Sequence, residues 1–312
     1  MALTLIEAAR LKTDPLQRGV IECFPKASPV LERLPFLTVS SDSYKFNRAA
    51  TLPFTAFRGL NESYTESTTG LDSVTENLTI SGGVSDVDRV LVKTQGNIND
   101  LRAIHDSLKA KSCALKWQKT FFKGDCEASP KEFDGLQVRL IGNQLINAGS
   151  SSGGDSLTLT KLDELIDAVD GSPDILFMNK TMRRRLTVAS RTSSVSGDIN
   201  FTLDEFGRRV TTYNDIPIGV IETDENNDEI LGFTEDNPGG GTAASTSIYA
   251  VRFGVGQYVF GLQCGEMDVL DLGLYSGGTA YRTLIEWIAS FTIGHNKSAA
   301  RLRGIKDAAV AA

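Results

Sequence analysis

The chain has 312 residues and only two histidines, His105 and His295. General acid–base work and most metal sites at neutral pH lean on imidazole, so this scarcity narrows the available chemistry. Two carboxylate groups stand out: Asp163, Glu164 and Asp167 in a helical pattern, and Asp224, Glu225, Asp228 and Glu229 in a loop. A solvated surface is the default for both, and the second could weakly hold a divalent cation. The basic run Arg183, Arg184 and Arg185 spreads over about 200 degrees of a helix whose apolar stripe is Met182, Leu186 and Ala189. A solvated face with some salt bridges is weighed there against an inter-subunit or DNA-facing role, for which the planar guanidinium fork is suited.

One short motif reads as a nucleophile. Gly154 to Leu157 spell GDSL, which would make Ser156 the attacking group of a serine hydrolase. In esterases that use this block it follows a buried apolar strand, and a D-x-x-H lies near the C-terminus. Here "NAGSSSG" precedes it and Thr292 stands where His295 would need an aspartate. Neither a G-x-x-x-x-G-K-[ST] phosphate loop nor a G-x-S-x-G elbow occurs. No catalytic residue, cofactor or metal is expected, and the hydrolase remains a rival reading.

Composition excludes further classes. Lys and Arg total 32 against 39 Asp and Glu, a net charge of -7, so a dedicated nucleic-acid binder is excluded and contact with DNA is local. The first residues carry Glu7, Arg10, Lys12 and Asp14 and lack a signal peptide's apolar core. No run approaches the roughly 18 apolar residues of a membrane helix. The expected place of synthesis is the cytoplasm, and no membrane partner is expected. Cys23, Cys113, Cys126 and Cys264 lack C-x-x-C spacing and are expected to be buried free thiols.

The elements that must position these residues follow from punctuation and periodicity. Four of the nine prolines, Pro15, Pro25, Pro29 and Pro35, fall before about residue 40, which predicts an arm of short helical pieces and extended stretches. In "SPVLERLPF", Ser28 caps, Pro29 takes the first helical position and Pro35 closes the turn. Next, Tyr44 to Arg48 and Val74 to Ile80 alternate as strands, predicting a two-stranded ribbon whose return is marked by the glycines of "SGGV". An isolated ribbon is marginal in water and needs a partner surface.

The clearest helix, about Asn97 to Lys123, carries Leu101, Ile104, Leu108, Leu115 and Phe122 on one stripe, with Lys116, Lys119 and Lys123 before the stop at Gly124. It predicts a spine of roughly 35 Å. A glycine- and serine-rich connection follows. Beyond it lie a helix with Thr160 and Asp163 as a capping box, the strand "DILFMN", the helix "KTMRRRLTVAS" and the strand-like "RRVTTYNDIPIGVIE". In "YRTLIEWIASFTI", Tyr281, Ile285, Trp287, Phe291 and Ile293 share one face, with Arg282, Glu286 and Ser290 on the other.

The order of these parts, with blocks such as "DPLQRGVIECF", "TLPFTAFRGLNESYTEST", "MNKTMRRRL", "DEFGRRVTTYNDIPI" and "ARLRGI", resembles the major capsid proteins of tailed double-stranded DNA bacteriophages, the Hong Kong 97-type fold. The resemblance implies an α+β chain divided into an N-terminal arm (1–40), an E-loop ribbon (41–83) and a peripheral domain with the spine helix (84–145). An axial domain (146–261) would follow, then strands returning to the peripheral domain (262–312). It implies a non-enzymatic shell protein forming hexamers and pentamers of itself in an icosahedral virion, assembled in the host cytoplasm. A separate scaffolding protein is implied, since the chain starts almost directly at the arm. So are a portal, a possible decoration protein and packaged DNA in weak local contact. The acidic loop near Asp224 to Gly241 becomes a candidate contact around the symmetry axes. Inter-subunit contact candidates are Tyr44, Lys45, Phe46, Arg48, Phe54, Phe57, Arg58, Glu62 and Glu66 of the ribbon, with Arg183, Arg184 and Arg185. An encapsulin-type nanocompartment shares the fold and stands as the nearest rival.

Overall fold

The structure, a computed structural model, describes residues 28–51, 53–68, 70–95, 101–191, 199–203, 209–242, 244–275 and 277–311. The arm expected over residues 1 to 27, Cys23, and the expected helix start at Asn97 lie outside the described residues.

Two sheets share one core. The first centres on β13 (Ala280–Ile293). On one edge it pairs with β4 (Thr79–Asp88), and on the other with β11 (Val259–Gln263) followed by β12 (Asp268–Tyr275), while β1 (Phe36–Thr38) adds parallel to β11. The alternation along β13 holds as far as Ile288, with odd positions inward; from Ala289 to Ile293 both faces are buried. Before β1, Ser28 caps α1 (Pro29–Arg33) by accepting from the Leu31 N–H, with Pro29 in the first turn. Val30, Leu31 and Leu34 join the core.

Against this sheet lies the spine helix. A short helix, α2 (Arg89–Gln95), precedes it, and the spine, α3, runs Leu101–Lys123. Its inward stripe differs from the predicted one. Asp106, Ala110, Ala114, Trp117 and Phe121 are buried, whereas Ile104 and Leu108 are exposed. The reason is close approach: two alanines bring the helix axis near the sheet, and Trp117 and Phe121 fill the space beyond. Trp117 stacks on Phe121 at 5.6 Å and tilts against Trp287 at 5.9 Å, and Phe121 meets Phe291 at 4.5 Å. The helix stops at Gly124 because the chain returns across it: a Cβ there would sit 2.2 Å from the Phe133 carbonyl oxygen. A one-turn helix, α4 (Leu136–Arg139), leads into the second sheet.

That sheet has seven strands in the order β5 (Leu145–Asn147), β14 (Ala299–Lys306), β10 (Ser245–Val251), β6 (Ile175–Asn179), β9 (Ile216–Ile221), β8 (Arg209–Tyr213) and β7 (Ile199–Leu203). Along β6 every residue is buried, because Ile175 and Phe177 face the spine core while Leu176 and Met178 face a second core. The second core is roofed by α5 (Leu159–Asp167) and α6 (Lys180–Ala189) through Leu162, Leu165, Met182 and Leu186. Helix α5 is capped by Thr158, which accepts from the Lys161 N–H, rather than by the predicted box of Thr160 and Asp163; Asp163 instead accepts from the Tyr213 hydroxyl. β8 and β9 turn through Asn214 and Asp215, both at positive φ, as a two-residue hairpin requires.

Two further expectations are corrected. The glycines of "SGGV" lie inside β4 and do not mark a turn: a Cβ on Gly82 would sit 2.3 Å from the Ile285 carbonyl oxygen of the paired strand, and one on Gly83 would meet the Lys109 side chain of the spine. The last strand does not return with its neighbours: β14 inserts between β5 and β10, its Ala300, Leu302 and Ile305 completing the second core.

Candidate inter-subunit interface

The ribbon is β2 (Ser43–Thr51) paired antiparallel with β3 (Gly70–Asn77), with Tyr44 opposite Glu76 and Phe46 opposite Val74. Its base is tied to the body. Tyr44 stacks on Phe46 at 5.7 Å and meets the buried Phe260 edge-on at 6.2 Å. The Glu76 carboxylate receives both Arg139 guanidinium nitrogens, one at 2.8 Å, and the Thr292 hydroxyl at 3.3 Å. Glu76 and Arg139 are only 13% and 15% exposed, and the Arg139 guanidinium lies 4.7 Å over the Phe291 ring. This clamp buries the far end of β13 on both faces. Strand alternation over Val74–Ile80 puts the Glu76 carboxylate on one face with Val74 and Leu78, a signal in the sequence that does not name Arg139 as its partner.

Away from its base the ribbon leaves the body. Phe54, Phe57, Leu60 and Tyr64 are 69%, 107%, 98% and 65% exposed. Exposed apolar groups in such a cluster mark an interaction surface. The tip is nonetheless ordered within itself. The Gly59 N–H donates to the Glu62 carboxylate at 2.7 Å, the Arg58 guanidinium donates to the Glu62 carbonyl at 2.9 Å, and Asn61 takes the left-handed conformation. Arg58 also lies 5.5 Å over the Tyr64 ring. Lys45 and Glu66 are exposed, and Arg48 is half-buried at the base.

The structure does not bring the arginine run to the ribbon. Arg183 and Arg184 are exposed on α6, and Arg185 bonds Asp307 at 2.9 Å, as a solvated helix with a salt bridge would have it. The acidic loop is anchored to the body in its first half. Asp224 is 3% exposed and accepts from the Lys119 ammonium at 2.7 Å and from the N–H groups of Asn226 and Asp228 at 2.8 and 2.9 Å. Burial opposes its charge, yet these donors outweigh burial and hold its carboxyl below the ordinary aspartate range, and Asp224 in turn pushes the Lys119 pKa up. Ile230 and Leu231 enter the spine core, and Glu235 forms a buried ion pair with Arg301 at 2.8 Å. These anchors seal the junction between the sheets, while residues 225–229 between them are exposed.

Ser156 sits in a segment that bridges to β14 through Asp155 and Ile305, and Leu157 beside it is fully buried. Among the described residues no hydrogen bond joins Ser156 to either histidine; the His295 ring instead accepts from the Lys297 N–H. Among the described residues no group of three His, Cys, Asp or Glu side chains could hold a metal, and no helix is long and apolar enough to cross a membrane. The expected thiol burial is also corrected: Cys126 is exposed, and Cys113 and Cys264 are half-buried and free.

Residues 13–162 match the family model of major capsid protein GP7. No curated protein sequence matches the chain. Among solved structures, the chain is similar to the holo-SrpI encapsulin complex from Synechococcus elongatus PCC 7942, at TM-score 0.67 and 15% identity over 91% of this chain and 89% of that one. It is also similar to the capsid of an empty GTA particle, at TM-score 0.61 and 14% identity over 89% and 90%. A structure from Mycobacterium phage Bobi matches at TM-score 0.60 and 14% identity over 88% and 89%. The α+β chain therefore has the Hong Kong 97-type capsid fold.

Proposed function

We propose that this chain is the major capsid protein of a tailed double-stranded DNA bacteriophage, a structural protein with no catalytic role that closes an icosahedral head. One observation carries the reading: on a capsid fold, a preformed ribbon tip presents Phe54, Phe57, Leu60 and Tyr64 to solvent with nothing among the other described residues to cover them. Burying each such side chain is worth about 2 kcal/mol, and in a closed shell every subunit both gives and receives a ribbon. We assign the arm to residues 1–40 and the E-loop to 41–83. The peripheral domain takes 84–145 with the strands between 259 and 293, and the axial domain takes 146–258 together with β14. The interior needs no strong affinity for DNA, in keeping with the net charge of -7. A separate scaffolding protein, a portal and a decoration protein complete the expected partners, with assembly in the host cytoplasm before the virion is filled.

The encapsulin reading keeps a place because one such complex is a neighbour at TM-score 0.67, while the match to the capsid family over residues 13–162 favours the phage. Nucleic-acid and mass-spectrometric analysis of particles from the native source tests the choice. Packaged double-stranded DNA supports the proposal, and a co-purifying enzyme cargo without DNA contradicts it.

A further inference from the structure

The ribbon base borders a groove of about 490 Å³ between β2, β3 and the segment that follows α4. Its walls are Val74, Ile141 and Ile293, and its polar lining includes Arg48, Gln144 and Lys297. Two of these groups are left incomplete. Gln144 is 8% exposed and its amide oxygen is buried without a donor, and the Nε of Arg48 is buried without an acceptor. An unmet donor and an unmet acceptor in one cleft are costly for a subunit alone, and a peptide backbone offers both complements. The charge balance points the same way. Glu76 and Arg139, both in the lining, neutralise each other, which leaves Arg48 and Lys297 as the lining's excess charge, with Asp72 opposite Arg48 on the neighbouring strand. Beside them Ile141 is 73% exposed, an apolar ridge at the mouth.

We infer that this groove receives the ribbon tip of a second copy of the chain. This inference rests on the shell reading and adds where the tip lands. The tip matches the groove in three respects. It carries wholly exposed Phe57 and Leu60 for the Ile141 ridge and exposed Glu66 for Arg48 and Lys297. Its backbone on either side of the 59–62 turn lies outside any strand or helix and carries the N–H and carbonyl groups that Gln144 and Arg48 lack. Its turn is closed before contact, by Gly59 and Arg58 to Glu62, so little ordering remains to be done on binding. A groove of about 330 Å³ beside Val84, Leu108 and Lys109 is more open and is lined by no buried unpartnered polar atom among the described residues, and one of about 230 Å³ beside Ile80, Trp117 and Phe133 offers an unmet donor, the Trp117 Nε1, without an unmet acceptor.

Cross-linking tests the assignment. In a background with the four cysteines changed to serine, Leu60→Cys and Ile141→Cys subunits are prepared separately, co-assembled and oxidised. Mixed shells are expected to give a disulfide-linked dimer on a denaturing gel, and shells of either variant alone to give none. A dimer formed with Leu108→Cys in place of Ile141→Cys, or no dimer in mixed shells, overturns the assignment while the shell reading stands. In the otherwise unaltered chain Ile141→Asp is expected to melt like the parent and yet fail to form shells; normal shells from it overturn the assignment as well. If the unaltered chain forms no shell under any condition, both fall together.

Discussion

At the scale of single residues, the charges that look superficial in the sequence divide into paired and unpaired sets. The Glu76–Arg139 clamp is mostly buried, and removing one partner of such a pair leaves an uncompensated charge costing about 3 kcal/mol. Glu76→Gln is therefore expected to lower the urea midpoint of the subunit clearly and to expose the ribbon to limited proteolysis. An unchanged midpoint and cleavage pattern would contradict the clamp. Asp224 gives a pH signature. Its folded pKa lies below its unfolded value, so its contribution is present above the unfolded pKa and is lost as pH falls through the folded one. Asp224→Asn should cost about 1 to 2 kcal/mol at neutral pH, Lys119 being partly exposed, and the gap to the parent should close as pH falls below the ordinary aspartate range. A gap that persists at low pH would show that the loss has another cause. Gly82→Ala, whose Cβ would meet the Ile285 carbonyl, is expected to cost about 1 to 3 kcal/mol in thermal unfolding by forcing β4 from β13.

At the scale of elements, much was legible in the sequence and some of it was legible only as a kind. The Ser28 and Pro29 start of α1, the buried strand 175–179 and the odd face of β13 follow from local rules, since capping, burial and alternation act within a few residues. The spine's face did not follow, because periodicity counts large apolar residues, and here two alanines and an aspartate face inward while Ile104 and Leu108 face out. The Lys119–Asp224 and Arg301–Glu235 pairs join residues 105 and 66 positions apart, beyond any local pattern. The ribbon itself was visible as a segment without a core, although its grip on Arg139 was not. Deleting residues 47–70 is expected to leave a folded subunit with its two-sheet core, seen by circular dichroism and a cooperative melt, and to abolish closed shells in the electron microscope. Normal shells from the deletion would contradict the inter-subunit role of the ribbon.

At the scale of the whole molecule, the subunit is a two-sheet body that packs its own core and an excursion that does not. The body pairs its buried Arg301 with Glu235 and its buried Asp224 with Lys119 within the chain. The ribbon tip leaves Phe54, Phe57, Leu60 and Tyr64 uncovered by the other described residues, and on the proposed reading assembly buries them against a copy. That asymmetry is the central claim, and electron microscopy of the purified full chain, expressed with and without its scaffolding partner, tests it most directly. Closed icosahedral shells are predicted in at least one of the two preparations; monodisperse single subunits in both would contradict the account.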